Sequence, residues 1–339
     1  MGRGNSIADK HIYSVLADIR GIAGEEIMKI TNNNGLPSNF LRACETDQHK
    51  KADISVTELE RSPREYWLSR RHDDEIYVDV SDRIWLLFGR AVHKLLEDGS
   101  TKNQLTEQYL TTVIDGITLS GTSDLFDDDK ISDYKTTSVF TIMFGSRIEE
   151  WTRQLNVYHY LFAAHGFTAK QLEIIALLKD WSRSKAKYNV KYPQSSVIKI
   201  DIPIWDKDRI ERYIKERVSI IMRHKDTPDK DLPLCTDEER WRKEAVYKCM
   251  KAGQVKSKKN FDDKAEAEKY CKDNGLQLIE VPGECAKCQD YCYSCSFCNQ
   301  YMTGSEPPVG EFEQTLNAAK AKFAAPEATL DMLLDPEAK

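Results

Sequence analysis

The sequence predicts a mixed α/β fold, with a mixed central sheet flanked by helices and a cysteine-rich C-terminal extension. Three observations predict it. Segments of helical period alternate with segments of period two, in the order helix, sheet, helix, sheet, helix, which is the pattern of a layered α/β core. Two strongly periodic helical stretches bracket a strand meander. Five cysteines stand within the single short stretch CAKCQDYCYSCSFC, residues 285–298.

The 339 residues exceed one typical domain. The composition shifts divide them into a helical N-terminal extension (1–50), a core (51–226), a cysteine-containing region (227–302) and a tail (303–339). Close to a third of the residues are charged, and the formal net charge is −6. That balance argues against coating nucleic acid through overall charge, though a local basic groove remains compatible with it. No run of about 18 apolar residues occurs, so no membrane span is expected. The N-terminus lacks an apolar segment followed by a small-residue cleavage site. We therefore expect a cytoplasmic chain with reduced thiols, whose cysteines are not presumed to form disulfides.

In the N-terminal extension, helical stretches are broken by the turn-rich TNNNGLPSN. SVTELERSPREYWLSRR reads as a helical run beginning near Ser55 and Thr57, with Pro63 opening its second half. DRIWLLFGRAVHKLLEDG is a strong helix ending near Gly99. YLTTVIDGITLSGTSDLFDDDKISDYKTTSV alternates with period two and breaks at Asp115-Gly116 and at Asp127–Lys130, predicting a meander. RIEEWTRQLNVYHYLFAAHG is a second strong helix, closed by Gly166. LEIIALLKDW, AKYNVKYP and SSVIKIDIPI are three strand candidates, and DRIERYIKERVSIIMRH is a further helix. KDTPDKDLPLC is a linker, rich in Pro and Asp.

The meander poses a chemical question. Residues 121–137, GTSDLFDDDKISDYKTT, put five aspartates on two neighbouring short strands, and like charges across a ladder destabilise it. Either the acids are all solvated, or some converge on a cation. Period two sets Asp133 and Lys135 on one face, and the tight turn brings Asp124 within reach of the same point. Two converging carboxylates call for a hard cation, magnesium or manganese. A lysine beside them would stabilise charge at a reacting centre or orient a water. On the preceding helix, Gly89, His93 and Glu97 share one face, and Ile84, Phe88, Ala91 and Leu95 form an apolar stripe beside it. The small Gly89 would let the helix lie against the sheet and bring the imidazole near Asp124. On the following helix, Trp151, Leu155, Tyr158 and Phe162 form the core stripe, with Gln154 one turn before Tyr158.

KDWSRSKAKYNVKYP supplies a local basic surface: Lys179, Arg183, Lys185, Lys187 and Lys191, interleaved with Trp181, Tyr188 and Tyr192. This composition suits phosphate contact and base stacking, and a solvated lysine-rich edge is the alternative. Cys285, Cys288, Cys292, Cys295 and Cys298 lie close enough in sequence to bind a metal. Zinc and an iron–sulfur cluster both remain open, since clusters accept varied cysteine spacings.

Taken together, GRAVH, GTSDLF, DYKTT and QLNVY, in that order, resemble the PD-(D/E)xK nuclease superfamily, in its RecB-like branch and its phage-encoded recombination exonucleases. The match spans roughly residues 54–200. The resemblance implies a restriction-endonuclease-like core and a magnesium- or manganese-dependent hydrolase acting on DNA in recombination or end processing, in a bacterial host cell. It implies that His93, Asp124, Asp133 and the carbonyl of Tyr134 are metal ligands, Lys135 is the catalytic lysine, Gln154 and Tyr158 form the following motif, and Glu97 is a supporting acid. Some relatives, CRISPR-associated ones included, tie an iron–sulfur cluster with one cysteine before the core, in a Cys-Pro-Arg stretch, and three after it. This sequence has Ser62 there, so Cys235 or Cys249 would replace the missing ligand, or the site is zinc. The rival readings are a CRISPR-adaptation-like nuclease and a non-hydrolytic DNA-binding or assembly module. The acidic and apolar tail would dock a partner such as an annealing protein, or stand solvated.

Overall fold

The computed structural model describes residues 29–45, 52–254 and 256–303. The helical reading of residues 1–28 and the tail from residue 304 lie outside the described residues. What is described is a mixed α/β fold with a mixed central sheet flanked by helices, and the C-terminal region carries the cysteines.

The meander forms as two turns dictate. Strands β4 (Leu105–Ile114), β5 (Ile117–Asp127) and β6 (Lys130–Thr137) run antiparallel. Their two-residue connections are Asp115-Gly116 (φ +51° and +79°) and Asp128-Asp129 (φ +48° and +60°). Both residues of each turn have positive φ, the type I′ geometry that matches strand twist and favours Asp and Gly. β7 (Gln171–Leu178) adds parallel to β6, and β8 (Val197–Ile202) antiparallel to β7. β2 (Ile54–Ser55) lies parallel to the start of β5. The described part of the N-terminal extension also contains a strand, β1 (Lys29–Thr31), paired with β3 (Tyr77–Asp79), and the short helix α1 (Ser38–Cys44).

Helix α2 spans Pro63–Arg71, so the helical run does not begin at Ser55. The Ser62 side chain accepts the Glu65 amide N–H at 3.1 Å, and Pro63, which has no N–H to satisfy, takes the first helical position. α3 (Ile84–Asp98) ends at Gly99 as its pattern predicts, but none of its residues is buried. Its apolar stripe is therefore not core: Phe88 and Leu95 are 53% and 72% exposed. The short α4 (Val139–Phe144) follows β6. By contrast α5 (Ile148–Ala164) lies across β4–β7 with Trp151, Leu155, Tyr158 and Phe162 all buried, and its chain reverses at Gly166, φ +84°.

The expected strand AKYNVKYP is instead helix α6 (Arg183–Tyr188) and a turn. Ala186 and Tyr192 are buried beneath it, and the Ser182 amide donates to the Tyr192 hydroxyl at 3.0 Å. These tertiary anchors override a β-favouring composition. α7 (Lys207–Met222) is capped by Asp206, whose side chain accepts the Arg209 amide N–H. Beyond it, β9 (Arg242–Lys243), β10 (Val246–Met250), β11 (Lys259–Phe261), α8 (Lys264–Asn274), β12 (Gln277–Val281), β13 (Glu284–Cys285), α9 (Ala286–Asp290) and α10 (Asn299–Thr303) make the C-terminal region. α2 ties this region to the core. Its buried Arg64 donates to the carbonyls of Leu232 and Pro233 and to the Asn299 side chain, and Glu65 pairs with Lys287 at 2.6 Å. Among the described residues, no helix is long and apolar enough to cross a membrane.

Candidate functional site

The two turns fix which residues meet. The β5–β6 ladder runs from Asp127↔Lys130 to Leu125↔Ser132, so the next opposed pair is Asp124 and Asp133. There the ladder stops, and the Asp124 carboxylate accepts the Tyr134 amide N–H at 2.7 Å in place of a backbone carbonyl. On the other side, Thr106↔Leu125 and Gln108↔Ser123 flank an unbonded pair, Glu107 and Asp124. Glu107 has φ +49°, a left-handed conformation that costs energy for a residue with a Cβ and concentrates at functional sites. Glu107, Asp124 and Asp133 therefore stand in one row across three strands.

α3 supplies the imidazole. His93 Nδ1 lies 3.4 Å from both Glu107 Oε1 and Asp124 Oδ1, and Nε2 lies 3.3 Å from the Tyr134 carbonyl oxygen. The ligand-type atoms of His93, Glu107 and Asp124 all fall within 4.8 Å of one another. Lys135 Nζ lies 2.6 Å from Asp133 Oδ2. The approach is ionic without hydrogen-bond geometry, so this buried oxygen has no hydrogen-bond donor among the described residues.

The electrostatics follow from crowding acids in a poorly solvated place. Burial, and then the neighbouring Asp133 carboxylate, push Asp124 up to about 7. The hydrogen bond to Glu107, helped by Asp124 and opposed by burial, holds His93 above its ordinary value. Burial, and then the charges of Asp133 and Asp124, raise the Tyr158 phenol, and Gln154 hydrogen-bonds to it. Without a bound cation, protons and the imidazole offset the charge of this row. A divalent cation would do the same, held by His93, Glu107 and Asp124, whose ligand-type atoms already gather. The residues thus fit a hard, oxygen-seeking ion.

Of the residues expected at the site, His93, Asp124, Asp133, Tyr134, Lys135, Gln154 and Tyr158 come together. Glu97 does not join them: its carboxylate ion-pairs with Lys94 at 3.2 Å, and Glu107 is the acid beside the imidazole. Gly89 is not what brings α3 close, since a Cβ there would meet Thr136 Oγ1 at an ordinary 3.8 Å. The tight glycine is Gly121, where a Cβ would lie 2.6 Å from Val56 and 2.7 Å from Tyr158.

The basic segment leaves the same end of the sheet as Lys135, with the Lys179 amide N–H donating to the Thr137 carbonyl at 2.9 Å. Arg183, Lys185, Lys187 and Lys191 are exposed. The interleaved aromatics are mostly committed elsewhere. Tyr192 is buried, and Trp181 donates its indole N–H to the Pro193 carbonyl at 2.7 Å. Only Tyr188 of the three is fully open.

The cysteines line a cavity of about 400 Å³ with Arg64, Arg240 and Lys287. Cys235, Cys285, Cys288, Cys292, Cys295 and Cys298 all face it. Cys235 Sγ lies 3.1 Å from Ser62 Oγ, so this thiol reaches the place held by the helix cap. Cys249 is elsewhere, buried with Ala267 and Cys271 in the small core of β10–β12 and α8. Burial pushes the Cys235 thiol up, and that of Cys288 up to about 11. No three of these sulfurs gather within 4.8 Å among the described residues. Tetrahedral zinc at a Zn–S distance of about 2.3 Å draws its sulfurs closer together than that.

No family model matches the chain, and no curated protein matches it. Among solved structures, one described as "Crystal structure of SSO0001" is 18% identical over 51% of this chain and 79% of that one, with a TM-score of 0.37. A likeness that slight carries no argument.

Proposed function

We propose that this chain is a magnesium- or manganese-dependent nuclease, an exonuclease hydrolysing DNA phosphodiester bonds in recombination or end processing of the phage type. The observation that carries the reading is the row Glu107–Asp124–Asp133, capped by His93 and flanked by Lys135. His93, Glu107, Asp124, Asp133 and the Tyr134 carbonyl would hold the ion. When bound, the ion supplies Lewis acidity and lowers the pKa of a coordinated water. Lys135 adds a cation beside the reacting phosphate, where it neutralises developing charge and orients the attacking water. Asp133 positions the lysine. Tyr158, fixed by Gln154, closes the floor of the site and excludes bulk water from the carboxylates. Lys179, Arg183, Lys185, Lys187 and Lys191 would hold the strand by its phosphates.

The thiol-lined cavity would hold a structural metal centre that clamps the C-terminal region to α2, with Cys235 standing in for the absent cysteine at Ser62. The approach of Cys235 to Ser62, the place of that missing cysteine, supports an iron–sulfur cluster, with zinc the alternative. It is also what favours the second reading, a CRISPR-adaptation-like nuclease with such a cluster.

The test incubates linear and circular plasmid with magnesium. Loss of linear DNA alone, abolished in Asp133→Ala and Lys135→Ala, is the expected result. Loss of the circle as well replaces the exonuclease by an endonuclease. Wild-type protein that shifts DNA but cuts none replaces the enzyme by a binding module.

A further inference from the structure

The strongest unexplained surface lies beside the candidate site. Trp85, Phe88, Phe140 and Phe144 are each more than half exposed, at 56%, 53%, 62% and 65%. They come from two helices that meet the carboxyl end of β6, the strand of Asp133 and Lys135. Phe140 stands in α4, three residues past Thr137. Trp85 stands in the first turn of α3, one turn before Gly89, which faces Thr136. Lys179 links the two sides: its amide N–H binds the Thr137 carbonyl, and its ammonium sits 3.6 Å from the Trp85 ring centroid. Phe140 and Phe144 lie 4.3 Å apart and Trp85 and Phe88 5.8 Å apart, as two paired ring surfaces.

Four open aromatic rings at one edge are far from the usual fate of such side chains. The core beneath is complete without them, since Trp151, Phe162 and Ile131 fill it. Rings alone would suit many partners. Rings with an ammonium among them, beside a carboxylate site proposed to hydrolyse phosphodiesters, suit a chain that alternates flat π-faces with negative phosphates.

We infer that Trp85, Phe88, Phe140 and Phe144 form a stacking platform for unpaired nucleotide bases, and that the preferred substrate is a single-stranded DNA end. The inference rests on the nuclease reading for its substrate, and it relocates base stacking from the basic segment to α3 and α4. Duplex DNA hides its base faces in the stack and gains nothing from the platform. Phosphates beside the rings meet Lys179, so the platform and the basic segment make one path leading to Lys135.

The experiment measures fluorescence anisotropy of the full-length protein, in EDTA, with a labelled single strand and with a blunt duplex of the same sequence. Trp85→Ala and Phe140→Ala are each expected to weaken single-strand binding about tenfold or more while leaving the duplex and the salt dependence unchanged. Lys179→Ala is expected to flatten the salt dependence by about one charge. Unchanged single-strand affinity in both aromatic variants overturns the inference. So does equal loss of single strand and duplex, or a change in oligomeric state, which would make the patch a protein contact. A magnesium plasmid assay on the same proteins separates the two readings. Wild type that cuts while the aromatic variants bind single strands normally retains the nuclease and removes the platform. Wild type that cuts nothing, yet binds single strands through Trp85 and Phe140, does the reverse.

Discussion

Replacing Asp124 by Asn removes one charge from the carboxylate row while keeping its shape. The Asn oxygen still accepts the Tyr134 amide N–H, so the local fold has no reason to change. Asp124 is held at about 7, raised by burial and by Asp133, against a carboxyl value near 4 in an unfolded chain. A raised carboxyl binds its proton more tightly in the folded state. The Asp124 contribution to stability in the absence of metal therefore falls as pH rises from about 4 to about 7, and changes no further above that. A rise from near 4 to about 7 corresponds to roughly 4 kcal/mol at most. That figure already includes the attraction of His93 and Lys135, and relaxation and water penetration around the row bring the expected effect to about 2 kcal/mol. Asp124→Asn should thus raise the melting temperature in EDTA at pH 8 by a few degrees and change little at pH 4. In manganese the order reverses, because the variant lacks a ligand and gains no stabilisation from the ion. Thermal unfolding at both pH values, with and without manganese, checks this. A variant less stable than wild type at pH 8 in EDTA, or one still stabilised by manganese, would refute the reasoning.

Gly121→Ala should cost about 1–3 kcal/mol, because its Cβ overlaps Val56 and Tyr158, whereas Gly89→Ala should add about 0.5–1 kcal/mol in an open helix; chemical denaturation compares the two. His72 hydrogen-bonds Asp229 at 2.8 Å and Glu75 at 2.7 Å; burial opposes its charge, but these bonds outweigh it and raise its pKa. That stability is fully present below about pH 6.5 and is lost as pH rises through the folded value, so His72→Gln should cost about 1 kcal/mol at pH 5.5 and less at pH 8.5, read by urea melts. On the proposal that the thiol-lined cavity holds a metal, Cys235→Ser should strip it from the purified protein, while Cys249→Ser should not. Ser62→Cys combined with Cys235→Ser should restore it, measured by metal content and visible absorbance.

Much of the sheet was legible because its turns are chemically specific. Asp115-Gly116 and Asp128-Asp129 each set a register, and the register alone aligns Asp124 with Asp133. The same arithmetic aligns Glu107 with Asp124, so Glu107 was within reach of the sequence. Helical spacing points to Glu97 instead, because it says which residues share a face with His93 but not how far that face extends over the sheet. α3 misled in a second way: its apolar stripe has the period of a buried helix, and period does not reveal whether anything covers the stripe. AKYNVKYP became helical because Tyr192 and Ala186 are held from below, which no local propensity records. The convergence of Cys235 on Ser62 joins residues 173 positions apart in sequence and needed the fold.

The central claim is that Asp124 and Asp133 share one divalent ion beside Lys135. Crystals grown with manganese and measured at its absorption edge test it most directly. The expected result is an anomalous peak bonded to carboxylate oxygens of both Asp124 and Asp133, with His93 or Glu107 completing the shell and Lys135 Nζ outside it. No peak at that place at saturating manganese, or a peak held by one of the two aspartates without the other, would contradict it.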